Sequence, residues 1–370
     1  MIKIGPMTIG PRLAISGVGI DTNVFNTIDD PKQDFTATIS PQAEVLLRLG
    51  HARVRAKAQA DYDYFRTFTS QGGLSTNDDV TIELPLNRVV PYVSESFTNS
   101  RQRPGFEIDA RARRVEDRTA IGANVRLTGR AFLTFEASRG HSRFDGDAFF
   151  DGIRLREALS RDEDALSISL HKSLTPLTSF VVIGEAKSDR FLFNSLRDAD
   201  TVKVTSGVEL SQFALIKGHA YAGYRKYDAL GAGIPSFTGL VFSAKLGYTL
   251  LGRTQFAVEL DRDVQFSYDP RSPYYLQTSI QGTVTEHVVG RWDVQARAQR
   301  QSLAYRVASG VLDVPSGRVD YVYMYGGGTG YRLARGARFG INADYYRRRS
   351  PIDHRQFTAL KAGTSLTYGF

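Results

Sequence analysis

The sequence predicts an all-β fold, a transmembrane antiparallel up-and-down β-barrel of the outer membrane with about 18 strands. Three observations predict it: a two-residue alternation of apolar and polar side chains, strands longer than those of soluble sheets, and connections that alternate between short and long.

The alternation is clearest over residues 51–66. Ala52, Val54, Ala56, Ala58, Ala60, Tyr62 and Tyr64 share one parity, and His51, Arg53, Arg55, Lys57, Gln59, Asp61 and Asp63 share the other. Successive side chains of a strand point to opposite faces, so this segment carries one apolar and one charged face. The pattern recurs over residues 34–48, 201–211, 240–250 and 292–299. These strands run about 11 to 15 residues, against a soluble mode of about 5 to 6 and the 9 to 11 that cross a bilayer at a tilt. A soluble β-sandwich or β-helix would show shorter strands and no alternation in connection length.

Short connections fall near residue 50 and near 86–88, 128–130, 173–177, 213–215, 251–252, 289–290 and 334–335. Longer polar ones lie between them, at 21–33, 67–77, 98–105, 141–161, 191–198, 228–236, 268–273, 308–316 and 349–355. Short turns on the periplasmic side and long loops outside are the habit of bacterial barrels, and place both termini on the short-turn side. One segment resists this count. The apolar parity is even at Phe106, Ile108, Ala110 and Ala112 but odd from Thr119 to Leu127. A β-bulge at residues 114–117 of one long strand would shift the parity and keep the strand number even. The last strand puts Leu360, Leu366, Tyr368 and Phe370 on one face. Leu366, Tyr368 and the terminal Phe370 resemble the signal by which the outer-membrane barrel assembly machinery recognises its substrates.

Composition narrows the function. Residues 1–370 read as a single domain, and no stretch approaches the 18 apolar residues of a transmembrane helix. The absence of cysteine removes disulfides, thiolate metal sites and a cysteine nucleophile. The net charge of +8 is spread along the chain without a run of five or six like charges, against a nucleic-acid tail. Residues 1–6 lack the apolar core and cleavage site of a signal peptide, so an exported protein is expected to be numbered here as a mature or trimmed chain.

Further residues carry a family resemblance. Gly19-Ile20-Asp21-Thr22-Asn23-Val24-Phe25, followed by Asp34 and Pro41, resembles the first hairpin of the β-barrel porin 2 family of Gram-negative outer-membrane proteins. Leu174-Thr175-Pro176-Leu177-Thr178, Asp189-Arg190-Phe191, Arg262-Asp263, Ser267-Tyr268 and Tyr274-Tyr275 match in order and spacing over most of the chain. Members often accompany exopolysaccharide or capsule production, so the resemblance implies an exit channel for polysaccharide. Bottom-up, the same motifs read as structural: Asp21, Thr22 and Asn23 sit where a strand enters a loop and suit side-chain bonds to nearby backbone.

The inward parity holds the candidate channel residues Arg53, Arg55, Lys57, Arg111, Lys217, Arg225, Arg297, Arg338 and Arg348. An aqueous lumen is expected at this strand number, and the basic excess favours an anionic, hydrophilic polysaccharide. Alternatively the charges pair across strands and stiffen the wall. No long segment stands out as a plug. The six histidines show no metal or protease spacing, no cofactor is expected, and Gly326-Gly327-Gly328-Thr329-Gly330 reads as closely approached strand rather than a phosphate loop. A barrel hydrolase pairing His171 or His219 with a facing serine stays open on sequence alone.

The leading expectation is therefore an exopolysaccharide exit channel. Its partners would be outer-membrane lipids and lipopolysaccharide, the assembly machinery and a periplasmic polysaccharide export protein, with no nucleic acid. A general or solute-selective diffusion porin is the alternative, followed by a barrel enzyme or a structural barrel.

Overall fold

A computed structural model describes residues 2–312, 315, 317–334 and 336–369. Among the described residues, eighteen long antiparallel strands close into a barrel. The first nine are β1 Met7–Asp21, β2 Asp34–Leu49, β3 Ala52–Phe65, β4 Gly73–Glu83, β5 Val89–Ser100, β6 Arg114–Thr128, β7 Ala131–Phe144, β8 Arg161–Thr175 and β9 Thr178–Phe191. The rest are β10 Ala199–Leu210, β11 Ile216–Ala229, β12 Phe237–Leu250, β13 Thr254–Phe266, β14 Tyr274–His287, β15 Trp292–Arg306, β16 Val319–Ala334, β17 Ala337–Arg349 and β18 Phe357–Tyr368. Each pairs with its sequence neighbours, and β18 closes on β1 through Leu13↔Tyr368 to Asp21↔Lys361. Short turns and long loops alternate as the sequence predicts.

Closure removes the exposed edges that an open sheet would present. At the seam, β18 reaches β1 only as far as Leu13, and a short strand at Ile2–Ile4 folds back to cover Met7, Thr8 and Ile9. Two faces then separate by chemistry. Ile121, Leu166, Val202 and Tyr224 are more than half exposed on the outside, where lipid rather than water meets them. The opposite parity carries the charged and hydroxylated side chains inward.

The parity break has a different cause from the bulge expected at residues 114–117. Pairing of β6 is continuous from Arg114 to Val125 with β5 and to Arg126 with β7. The strand begins at Arg114, and the even-parity run belongs to the connection 101–113, which folds into the barrel mouth. Its Ile108 and Ala112 are buried against Phe144, Leu155, Leu159 and Tyr268, where Leu155–Leu159 forms a short helix in the next long connection. An apolar alternation arises here because one side of the segment packs on that cluster. A bulge does occur in β1, where Gly17 at φ +59° shifts the register to β2 between Ser16 and Gly19. Glycine takes this left-handed conformation without the Cβ penalty, and the shift carries the inward parity from Ser16 to Gly19 and Asp21.

The family-like turn motifs behave as capping devices. Asn23 is fully buried; its N–H donates to Asp21 Oδ1 at 3.0 Å, and its amide nitrogen donates to the carbonyls of Thr27 at 2.7 Å and Thr358 at 2.9 Å. Leu360 N–H donates to Thr22 Oγ1 at 2.8 Å, so the first loop is fastened to the last strand.

Candidate functional site

Strand register decides which charges meet in the lumen. Directly opposite residues of neighbouring strands share a face, and a side chain that skips one strand spans about 10 Å between backbones. Arg297 on β15 nevertheless grips Asp344 on β17 with two bonds of 2.6 Å. The residue between them on β16 is Gly326, where an added Cβ would lie 1.9 Å from Asp344 Oδ1 and 2.8 Å from Arg297 Nε. One level lower, Arg338 crosses Gly330 to reach Asp293 at 2.5 and 2.9 Å. Gly326, Gly328 and Gly330 thus face the lumen as a bare stripe over which two ion pairs lie flat, as the reading of a closely approached strand anticipates.

Most of the predicted lumen cations are paired. Arg55 meets Glu83, Arg225 meets Asp263, and Arg111 meets Asp63 at 3.0 Å. Arg348 is fully buried between Asp109 at 2.9 Å and Asp320 at 3.2 Å. Arg111 is a departure from its predicted place: with Glu107 and Asp109 it lies on the folded-in connection rather than on a strand. Arg53, Lys57 and Lys217 sit on the inward parity of β3 and β11 with no ion-pair partner among the described residues. Arg48 and Arg126, which sequence reasoning missed, are likewise inward and unpaired. Both could have been found by extending the parity count to the strand ends. These five cations occupy the short-turn half of the lumen.

The mouth on the long-loop side is crossed, contrary to the expectation that no segment forms a plug. Connection 101–113 leaves β5 and is held from nearly the opposite side of the ring. Glu107 accepts from Ser267 Oγ at 2.5 Å and from Tyr268 N–H at 3.1 Å, and its carbonyl accepts from Arg355. Arg103 donates to the Val24 carbonyl at 2.7 Å and Asn26 donates to Asp109 at 2.9 Å. Arg197, buried in another loop, donates to the carbonyls of Ala158 and Pro273 at 2.6 and 2.9 Å. Burial pushes the Glu107 carboxyl up to about 7 despite the guanidinium groups of Arg355 and Arg348. The Arg197 guanidinium is pulled down to about 10 by the same desolvation. Arg197, Arg318, Asp320 and Arg355 carry no strand periodicity, which is why the sequence did not single them out for the mouth.

Below the folded loops a hollow of about 360 Å³ is bounded by Gln295, Arg297, Arg338, Asn342, Lys361 and Ser365. Its walls offer guanidinium, amide and hydroxyl groups suited to hydrated solutes. Among the described residues no group of three or more His, Asp or Glu is arranged to hold a metal ion. Ser169 Oγ does lie 3.1 Å from His171 Nε2, with Glu209 3.6 Å from His171 Nδ1. Ser169 and His171 are alternate residues of the same strand, and the neighbouring backbone N–H groups are committed to the ladder, so the trio lacks the donor pair that acyl transfer requires.

The family described as Putative beta-barrel porin 2 matches residues 2–370, the whole described barrel. The chain belongs to the β-barrel porin 2 family. This is an outer-membrane β-barrel porin that crosses the membrane many times. Solved structures agree on the fold. The outer membrane protein opdK of Pseudomonas aeruginosa is 10% identical with a TM-score of 0.51, over 98% of both chains. OccK2 (OpdF) of the same organism is 11% identical with a TM-score of 0.51, over 97% of both. No curated protein matches the sequence. In this porin Leu366 and Tyr368 face outward at the closing strand, while Phe370 lies outside the described residues.

Proposed function

We propose that this porin is a passive, solute-selective diffusion channel favouring small anionic hydrophilic solutes, and that it has no catalytic role. The observation that carries the reading is the segregation of charge along the lumen. Cations in the upper and middle wall are held in ion pairs by carboxylates, whereas among the described residues Arg48, Arg53, Arg126 and Lys217 in the short-turn half have no ion-pair partner, and Lys57, opposite Glu44 and Asp79, is in direct contact with neither. A low-dielectric wall focuses that uncompensated field along the lumen axis and raises the local concentration of anions. Loops crossing the mouth and a hollow of about 360 Å³ suit a small solute better than a polymer chain. Polysaccharide exit, with its periplasmic export partner, finds no comparable support. Leu366 and Tyr368 on the lipid face of β18 fit recognition by the assembly machinery.

Liposome swelling tests the reading. Vesicles containing the refolded porin should admit small carboxylates faster than neutral sugars of equal size, and exclude long polysaccharide. Equal rates for charged and neutral solutes would remove the proposed selectivity.

A further inference from the structure

We propose that the lumen wall over β14 to β18 is a binding site for a polyhydroxylated monocarboxylate, a small sugar acid. The site rests on the channel for small anionic solutes proposed above and narrows its cargo to one chemical class.

Charge is unevenly distributed around the lumen. β13 turns Glu259, Asp261 and Asp263 inward. On the next strand, β14, every inward residue from Gln277 to Thr285 is an amide or a hydroxyl: Gln277, Ser279, Gln281, Thr283 and Thr285. Gln295 and Gln299 carry this uncharged polar face onto β15. The side chains of Gln277, Gln281 and Gln299 make no hydrogen bond among the described residues. Hydroxyls and side-chain amides each donate and accept, so such a face matches a chain of hydroxyl groups better than a bare ion.

Towards the short turns the face ends in two cations. Arg332 on β16 and Arg338 on β17 are directly opposite and both point inward, a placement in which like charges repel. Asp293 spends both oxygens on Arg338, at 2.5 and 2.9 Å. Arg332 has no ion-pair partner among the described residues; its Nη2 lies 2.9 Å from His287 Nε2. Asp293 therefore offsets one guanidinium group of the facing pair, and a solute carboxylate would offset the other through paired N–H donors. Arg291, in the turn before β15, stands beside them and donates to the Leu333 carbonyl at 3.1 Å.

Arg291, Arg332, Arg338 and Thr367 bound a hollow of about 660 Å³ at this end. Arg338 also bounds the hollow of about 360 Å³ above it, so the two adjoin. In the upper hollow Gln295 and Asn342 flank Gly328, and an added Cβ there would lie 2.3 Å from Asn342 Oδ1. Asn342 Nδ2 donates to Ser365 Oγ at 3.1 Å, which leaves Oδ1 to accept from a solute. Gly328 is four residues from Arg332 along β16, about 13 Å of strand, a distance that a guanidinium arm and a short hydroxylated chain cover together. A carboxylate at Arg332 thus places hydroxyls at Gln295 and Asn342. A bare inorganic anion would leave the amides unused, and a neutral polyol would leave Arg332 without a counter-charge.

The test uses the full barrel in a planar bilayer and reads the interruption of the chloride current by D-gluconate added to both sides. We expect gluconate to act at a concentration about tenfold lower than hexanoate, which lacks the hydroxyls, or D-glucitol, which lacks the carboxylate. Arg332→Gln should weaken gluconate about tenfold and leave glucitol unchanged, whereas Gln295→Leu/Asn342→Leu should weaken gluconate and leave hexanoate unchanged. Ser94→Ala, inward on β5 across the lumen, should alter none of the three. Heat-modifiable mobility verifies folding, and Gln295→Ala/Asn342→Ala replaces the leucine pair should that variant fail it. Gluconate acting no better than hexanoate or no better than glucitol would overturn the site, as would undiminished gluconate action in Arg332→Gln. A channel that prefers chloride yet ignores gluconate would overturn the site alone. One without chloride preference, in which gluconate action still depends on Arg332, would uphold the site and overturn only the wider anion reading.

Discussion

Protonation of Glu107 should tighten the loop that crosses the mouth. Glu107 is fully buried, accepting from Ser267 and Tyr268, with Arg348, Arg355 and Arg197 and the rings of Tyr268, Tyr275 and Tyr305 around it. Its carboxyl sits at about 7 when docked against an ordinary value of 4.5, so the docked loop holds a proton that a released, solvated loop gives up. The docked state is favoured fully below pH 4.5, loses ground from there to about 7, and changes little above. That gap is worth about 3 kcal/mol, roughly 300-fold in the ratio of docked to released loop. Single-channel recordings should therefore show a larger-conductance state whose occupancy rises between pH 5 and 8. In Glu107→Gln the amide keeps both contacts and cannot ionise, and the occupancy should be low and flat with pH. A pH step retained in the variant, or an unaltered channel that opens more at pH 5 than at pH 8, would overturn this role of Glu107.

Two further outcomes follow from the packing. Gly326→Val places a branched side chain where Arg297 and Asp344 meet, and should separate the pair at a cost of about 2 kcal/mol, seen as a lower urea midpoint of unfolding. Gly282, whose added Cβ would meet nothing, serves as the control through Gly282→Val. Arg348→Met leaves Asp109 and Asp320 facing one another without their shared partner, and should cost about 3 to 5 kcal/mol in loop docking. Limited proteolysis within residues 101–113 reports it: faster cleavage is expected, and an unchanged rate would contradict the role given to Arg348.

The strands were legible because each carries its own two-faced pattern: Ala52 to Tyr64 declares a lipid face without reference to any partner. The inward placement of Arg53, Arg297 and Arg338 follows from parity alone. Whether each is paired does not, because Arg297 finds Asp344 across Gly326 only once three strands are in register. The mouth was illegible for a stronger reason. Phe106, Ile108, Ala110 and Ala112 mimic a strand, yet Ile108 and Ala112 pack on Leu155 and Tyr268, contacts that exist only after the barrel closes. The bulge at Gly17 leaves only a single glycine as its trace. The facing of Arg332 and Arg338 likewise depends on the register of β16 against β17.

The proposed channel is a passive conduit that draws its selectivity from unpaired cations in its short-turn half. The reversal potential across a KCl gradient in a planar bilayer tests it most directly. Steady conductance with a preference for chloride is expected, substantially reduced in Arg53→Gln/Lys57→Gln/Lys217→Gln and retained in Arg225→Gln/Asp263→Asn, which removes both charges of one ion pair. Cation preference, or anion preference untouched by the triple substitution, would contradict it.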